Sequence, residues 1–182
     1  MNTKAISTVP KIITRYDSPM SLITLACDGD ALTGLWIEGQ THYAATLSNP
    51  AEIAADSENL PEVLKKAILW LKKYFSGEQP AIDFPLAPKG TPFRQKVWEF
   101  LLSIPYGQTI TYGEISKALN TGCAQAVGGA VGHNPISIII PCHRVIGTNG
   151  NLTGYAGGID KKIRLLEIEG VDMSQMFYKK ET

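Results

Sequence analysis

Short runs of β-branched and large apolar residues dominate the first fifty positions. Ile12-Ile13-Thr14, Leu22-Ile23-Thr24-Leu25 and Leu35-Trp36-Ile37 each have strand length, and Asp28-Gly29-Asp30 and Glu38-Gly39 supply turn chemistry between and after them. From Pro61 the period changes. Val63, Leu64, Ala67, Ile68, Leu71 and Phe75 recur at helical spacing, which predicts a helix over 61–75 with Asn59 as its cap and Gly77 as its stop. Residues 78–91 then carry Pro80, Pro85, Pro88 and Gly90, the composition of a linker. The chain therefore divides into a first α/β domain at 1–80, a linker at 81–91 and a second domain at 92–182.

The second part is mostly helical. Thr91-Pro92 places a cap before a proline at the first helical position and opens a helix from Phe93 to Ser103. Thr111-Tyr-Gly-Glu114 is a capping box and starts a second helix, through Leu119. Asn120-Thr-Gly122 breaks the chain before a third helix, from Cys123 to His133, which Asn134-Pro135 ends. Two short helices around a tight glycine-containing turn have the helix-turn-helix pattern. A last helix runs from Ile159 to Glu169 and closes at Gly170. Gly128 and Gly129 lie inside the third helix, each at a cost of about 1 kcal/mol relative to alanine. They imply a face stripped of side chains, either for close helix packing or for approach to a nucleic-acid backbone.

Composition narrows the class. The 182 residues are 44% hydrophobic and 19% charged, with 17 basic and 17 acidic side chains and no net charge. Residues 1–91 hold 8 Lys/Arg against 10 Asp/Glu, and residues 92–182 hold 9 against 7, so the second half is mildly basic. Cys27, Cys123 and Cys142 are too few and too scattered for a disulfide framework, and a free thiol fits a reducing cytoplasm. No apolar stretch approaches the ~18 residues that span a membrane. Pro10, Arg15 and Asp17 interrupt any secretory apolar region after Lys4. Cys27 and His42 are the only soft metal ligands before residue 90, too few for a four-coordinate site, so neither metal nor cofactor is expected.

The densest chemistry is Ile140-Pro-Cys-His-Arg-Val145. Cys142 directly precedes His143 at the end of the apolar run Ile138-Ile139-Ile140, which reads as a buried strand. A thiol is nucleophilic only as thiolate, and an imidazole or cation nearby lowers its pKa. A buried, inert cysteine is the competing reading, since free cysteine is among the most buried residue types.

The ordered set Phe93-Arg-Gln-Lys-Val-Trp98, Ile104-Pro-Tyr-Gly107, Thr111-Tyr112, Ala126-Val-Gly-Gly-Ala130, Asn134-Pro135, Pro141-Cys-His-Arg-Val145 and Gly154-Tyr-Ala-Gly-Gly158 resembles the O6-alkylguanine-DNA alkyltransferases. The resemblance runs from about Phe93 to Gly170. It implies a ribonuclease-H-like α/β domain followed by a helical, winged-helix-like DNA-binding domain that enters the minor groove. It also implies a monomer acting on double-stranded DNA that contains O6-alkylguanine, with O4-alkylthymine left open. The base must leave the stack to be reached. The alkyl group then passes irreversibly to Cys142, once per molecule.

Roles follow by the same resemblance. His143 takes the thiol proton through a water, and Glu169 orients and charge-balances the imidazole. Asn134 braces the segment, unless it only ends a helix. Tyr112 meets guanine N3, unless it only packs. The carbonyls of Cys142 and Val145 read the exocyclic amine, Tyr155 packs on the base, and the Ala156 N–H bonds O6. Thr111, Tyr112, Gln125, Ala126, Gly128 and Gly129 face DNA. At Gln125 the family has an arginine that fills the vacated stack, so extrusion of the base is expected to be weaker here. Two other classes fit a reactive cysteine: a sensor in which alkylation signals, and a cysteine hydrolase. A hydrolase turns over, whereas an acceptor stops at one equivalent.

Overall fold

The computed structural model describes residues 11–47 and 50–178. Lys4, Pro10 and the outermost residues of both expected domains lie outside it. Strands β1 (Lys11–Asp17), β2 (Leu22–Asp28), β3 (Ala31–Ile37) and the two-residue β4 (Ala51–Glu52) form one sheet in the order β3-β2-β1-β4. β1–β2 and β2–β3 are antiparallel, and β4 joins β1 in parallel. Asp28 pairs with Ala31 around a two-residue loop whose Gly29 has φ +63°, a left-handed conformation that glycine adopts without strain. Gly34 has a different reason: a Cβ there would meet the Trp36 ring at 1.9 Å.

Helix α1 (Glu62–Phe75) packs on β2 and β3, and it buries Val63, Leu64, Ala67, Ile68 and Leu71 as its periodicity predicts; the expected Phe75 is only half-buried, and Trp70 and Tyr74 are buried instead. Its cap differs from the expectation. Pro61 is the N-cap and no side chain accepts there, so Asn59 does not cap the helix. Proline already supplies a fixed φ and lacks one of the N–H groups that a cap would satisfy.

Within the 78–91 segment, residues 84–87 are held to the sheet. Leu32 N–H donates to the Pro85 carbonyl (2.9 Å), Ala87 N–H donates to the Leu32 carbonyl (2.8 Å), and Phe84 is buried. Beyond them come α2 (Pro92–Leu102), β5 (Ile110–Thr111), α3 (Tyr112–Ala118), α4 (Ala124–Gly132), β6 (Val145–Ile146) and α5 (Ile159–Ile168). The Thr91 cap accepts from Arg94 N–H, and the Thr111/Glu114 capping box is complete. Between α3 and α4, Asn120 and Gly122 take φ +51° and +66°.

The Ile138–Ile140 run is not a strand. It is a buried turn in which Ile138 has φ +69°. Pro135 and Pro141 flank it, and Asn134 ties it together, accepting from Ile136 N–H (3.0 Å) and donating to the Ile140 carbonyl (2.8 Å). An apolar run reports burial, and burial alone does not distinguish a strand from a turn. The preceding residues do meet a strand. Leu35 N–H donates to the Pro135 carbonyl (2.8 Å) and Ser137 N–H to the Leu35 carbonyl (2.9 Å). The two halves accordingly share one core, from Leu25 and Leu64 to Val127, Ile140 and Leu165.

Candidate active site

Cys142 opens a single 3₁₀ turn, Cys142–Arg144, that joins the buried Asn134–Ile140 turn to β6. The thiol is buried, and Asn134 Nδ2 donates to its Sγ at 3.1 Å. Burial pushes the Cys142 thiol up. Asn134, the Lys162 cation and the backbone N–H groups of Cys142 and His143 pull the other way. The resting group is a thiol with a prepared environment for its thiolate.

His143 is fully buried, and its Nε2 lies 2.7 Å from Glu169 Oε1. Burial lowers its pKa against the opposing pull of Glu169, so the imidazole rests neutral at neutral pH. A neutral imidazole meets a carboxylate only by donating, which puts the proton on Nε2 and the lone pair on Nδ1. Nδ1 is buried and meets no hydrogen-bonding group among the described residues. That is the arrangement of a free base.

Glu169, at the C-cap of α5, is buried rather than an exposed helix-end carboxylate. Arg144 grips it twice, Nε to Oε2 at 2.8 Å and Nη2 to Oε1 at 3.0 Å. Gly107 N–H donates to Oε2 at 3.1 Å, and the Tyr74 hydroxyl to Oε1 at 2.8 Å. Burial alone would raise this carboxyl. The contacts with His143 and Arg144 outweigh it and hold the pKa at about 2.

Two residues of the site gave no signal in the sequence. Lys162 is fully buried, and its Nζ donates to the carbonyls of Val145 (2.6 Å) and Thr153 (2.9 Å). Burial drops its pKa to about 8, and Cys142 acts in the opposite sense. Tyr74 comes from α1, far away in sequence. Lysine and tyrosine on helices ordinarily read as a solvated and a packing side chain, so only the tertiary fold shows their use.

The remaining expected residues divide into two places. Tyr155, Tyr112 and Val145 gather around Cys142 and Lys162. The Tyr155 hydroxyl is buried without a hydrogen-bond partner among the described residues, and burial near Cys142 raises its pKa strongly. The Tyr112 hydroxyl donates to the carbonyls of Gly154 (3.1 Å) and Thr153 (3.3 Å), and burial raises it to about 12. The Ala156 carbonyl accepts from Thr41 N–H at 2.9 Å, which ties the 154–158 loop to the N-terminal half. Gln125 and Ala126 are exposed in the first turn of α4. An added Cβ at Gly129 would meet nothing within 4 Å, and one at Gly128 only the Tyr112 ring at 3.8 Å. Close helix packing therefore does not explain these glycines. Cys27 is buried in β2, and His42 stacks on His133 with ring centroids 4.0 Å apart.

Residues 12–88 match the family model described as "6-O-methylguanine DNA methyltransferase, ribonuclease-like domain", and residues 92–171 match "6-O-methylguanine DNA methyltransferase, DNA binding domain". A Mycobacterium tuberculosis methylated-DNA--protein-cysteine methyltransferase is 47% identical over 154 residues, which cover 84% of this chain and 88% of that one. This chain belongs to the methylated-DNA–protein-cysteine methyltransferase family. The relative of that name from Methanosarcina barkeri is 50% identical over 155 residues, covering 84% of this chain and 93% of its own. Among solved structures, Mycobacterium tuberculosis OGT in complex with DNA superposes with a TM-score of 0.77 at 45% identity, covering 87% of this chain and 92% of that one. A methyltransferase of the family from Methanococcus jannaschii gives 0.63 at 31%, covering 92% and 99%. The two-domain architecture of the family, ribonuclease-like and then DNA-binding, is the architecture of this chain.

Proposed function

We propose that this protein repairs DNA by moving the alkyl group of O6-alkylguanine to Cys142, once per molecule. The observation that carries the reading is a buried thiol bonded to Asn134 beside a buried imidazole whose tautomer Glu169 fixes. Extruded from the duplex, the base meets a thiolate whose proton has passed to His143 Nδ1, through a bound water. Sγ forms a bond to the alkyl carbon, the carbon–O6 bond breaks, and its electron pair stays with the guanine. Tyr112, kept protonated by its raised pKa of about 12, supplies a proton to N3 of the leaving base. The imidazolium on His143 is balanced by Glu169.

The carbonyls of Cys142 and Val145 read the exocyclic amine, Lys162 fixing the second of them. Tyr155 packs on the base and the Ala156 N–H bonds O6. The open α4 face at Gly128 and Gly129, with Thr111, Ala126 and Gln125, lies against the minor groove in the manner of a winged helix. Minor-groove entry suits a protein that needs access without reading sequence. The protein works as a cytoplasmic monomer and draws on no cofactor.

Intact mass tests this directly. Incubation with a duplex containing O6-methylguanine should add one methyl, about 14 Da, to Cys142, after which activity stops. Cys142→Ser should bind the duplex and gain nothing, since a hydroxyl is barely ionised at neutral pH. Methyl on Cys27 or Cys123, or repeated turnover, would overturn the reading. Repeated turnover would favour a hydrolase.

A further inference from the structure

The strongest unassigned feature is a hydroxyl that the N-terminal domain delivers to the buried acid–base pair. Tyr74 stands in the last turn of α1, fully buried, its ring stacked on Trp70 and edge-on to Tyr106 and His143. Its hydroxyl lies 2.8 Å from Glu169 Oε1 and 3.4 Å from His143 Nε2. Burial, followed by the Glu169 carboxylate, pushes the phenol far above its ordinary pKa, so it is a neutral donor at any working pH. The same oxygen, Oε1, also receives His143 Nε2–H at 2.7 Å. Tyrosine and imidazole therefore share one carboxylate oxygen, which Arg144 Nη2 also meets at 3.0 Å.

Resting on the alkyl-transfer reading above, we propose that Tyr74 is a positioning residue of the reaction: its hydroxyl fixes the Glu169 carboxylate, draws off part of its charge, and keeps His143 free to accept the thiol proton. The physical basis is simple. A carboxylate oxygen that already accepts one hydrogen bond attracts a second donor less strongly, and an imidazolium less strongly still. Without the phenol, Oε1 would hold the imidazolium more tightly. His143 would then keep its proton to higher pH and be unable to take another.

The other groups facing this imidazole act in known directions. Arg144 in its own turn and Lys162 from α5 disfavour the imidazolium, and Glu169 at the end of α5 favours it. Cys142 precedes it in the chain. Tyr106, after α2, meets Tyr74 and donates its hydroxyl to the Ile168 carbonyl at 3.1 Å, away from the carboxylate. Among these, Tyr74 is the neutral donor on Oε1 that can be removed without changing a charge. The arrangement also gives the N-terminal domain a chemical part, since α1 lies on the sheet of that domain.

The test is a titration of His143 in the full-length protein by imidazole NMR, paired with single-turnover transfer rates across pH. Tyr74→Phe should raise the His143 pKa by about half to one unit, because one of the donors sharing Oε1 is lost. The acid limb of the rate profile should move to higher pH by the same amount, so the variant is several-fold slower below neutrality and close to wild type above it. Tyr106→Phe, which removes a neighbouring hydroxyl that donates to the Ile168 carbonyl and not to the carboxylate, should leave the titration in place. Placing 3-fluorotyrosine at position 74 keeps the hydroxyl and makes it a stronger donor, so it should move His143 the other way and serves even if the phenylalanine variant folds poorly. An unchanged His143 titration in both position-74 variants, or a fall in rate that is uniform across pH, would overturn the proposal. Failure of the wild type to transfer methyl would instead sink the functional reading, because the titration is read on free protein.

Discussion

Glu169→Gln removes one charge from the most interconnected position in the molecule while keeping its volume. The carboxylate faces donors only: His143, Arg144, Tyr74 and Gly107. A glutamine amide would turn an N–H₂ group toward some of them, and Arg144 would lose its buried counter-charge. The carboxyl sits at about 2 where 4.5 is ordinary. At 1.36 kcal/mol per pH unit, that difference amounts to about 3 kcal/mol. Because His143 rests neutral, its part is a hydrogen bond and not a full ion pair, which places about 3 kcal/mol at the upper end. Breaking a buried ion pair by removing one partner costs a similar ~3–5 kcal/mol. The variant should lose roughly 2–3 kcal/mol in urea unfolding at pH 7, or about 4–12 °C in Tm for a chain of this size. This stabilisation is present above the unfolded carboxyl pKa and is lost as pH falls from about 4.5 toward 2, so the two proteins should converge in that window. Glu167→Gln is the control, since its pair with Arg164 (3.5 Å) is exposed and worth about 0–1 kcal/mol. Equal stability losses for the two variants at pH 7, or a gap that stays constant down to pH 2, would refute the reasoning.

Lys162→Met should keep the buried volume but raise the Cys142 thiol pKa, because the cation that favours the thiolate is gone; the pH dependence of iodoacetamide alkylation reads this directly. Gly129→Ala should stabilise the protein by about 0.5–1 kcal/mol, since its Cβ meets nothing, yet weaken duplex binding in a fluorescence titration if that face approaches DNA. Unchanged affinity would remove α4 from the DNA surface. Gln125→Arg should speed transfer from duplex DNA but leave reaction with free O6-benzylguanine unchanged, if that compound is accepted, because only the duplex requires extrusion of a base. Equal duplex rates would show that glutamine already suffices there.

Local signals in the chain determined much of this. Thr91-Pro92 and the Thr111/Glu114 box had their capping partners within three residues, so α2 and α3 began where expected. The stripe on α1 and the β-rich runs of the sheet were equally local. The Pro-Cys-His-Arg-Val segment marked the nucleophile because it packs reactive groups into adjacent positions. Tertiary structure decided what depends on distant partners. Ile138–Ile140 became a turn because Asn134 and two prolines hold it against β3, a contact invisible to hydrophobic pattern. Glu169 became a buried anion because Arg144, Gly107 and Tyr74 converge on it. Lys162 and Tyr74 entered the site because α5 and α1, far apart in sequence, bring Lys162 to the Val145 carbonyl and Tyr74 to Glu169. Sequence records which groups exist and how their neighbours along the chain will fold. Their pKa values and partners follow from burial and from convergence in space, which the complete fold alone supplies.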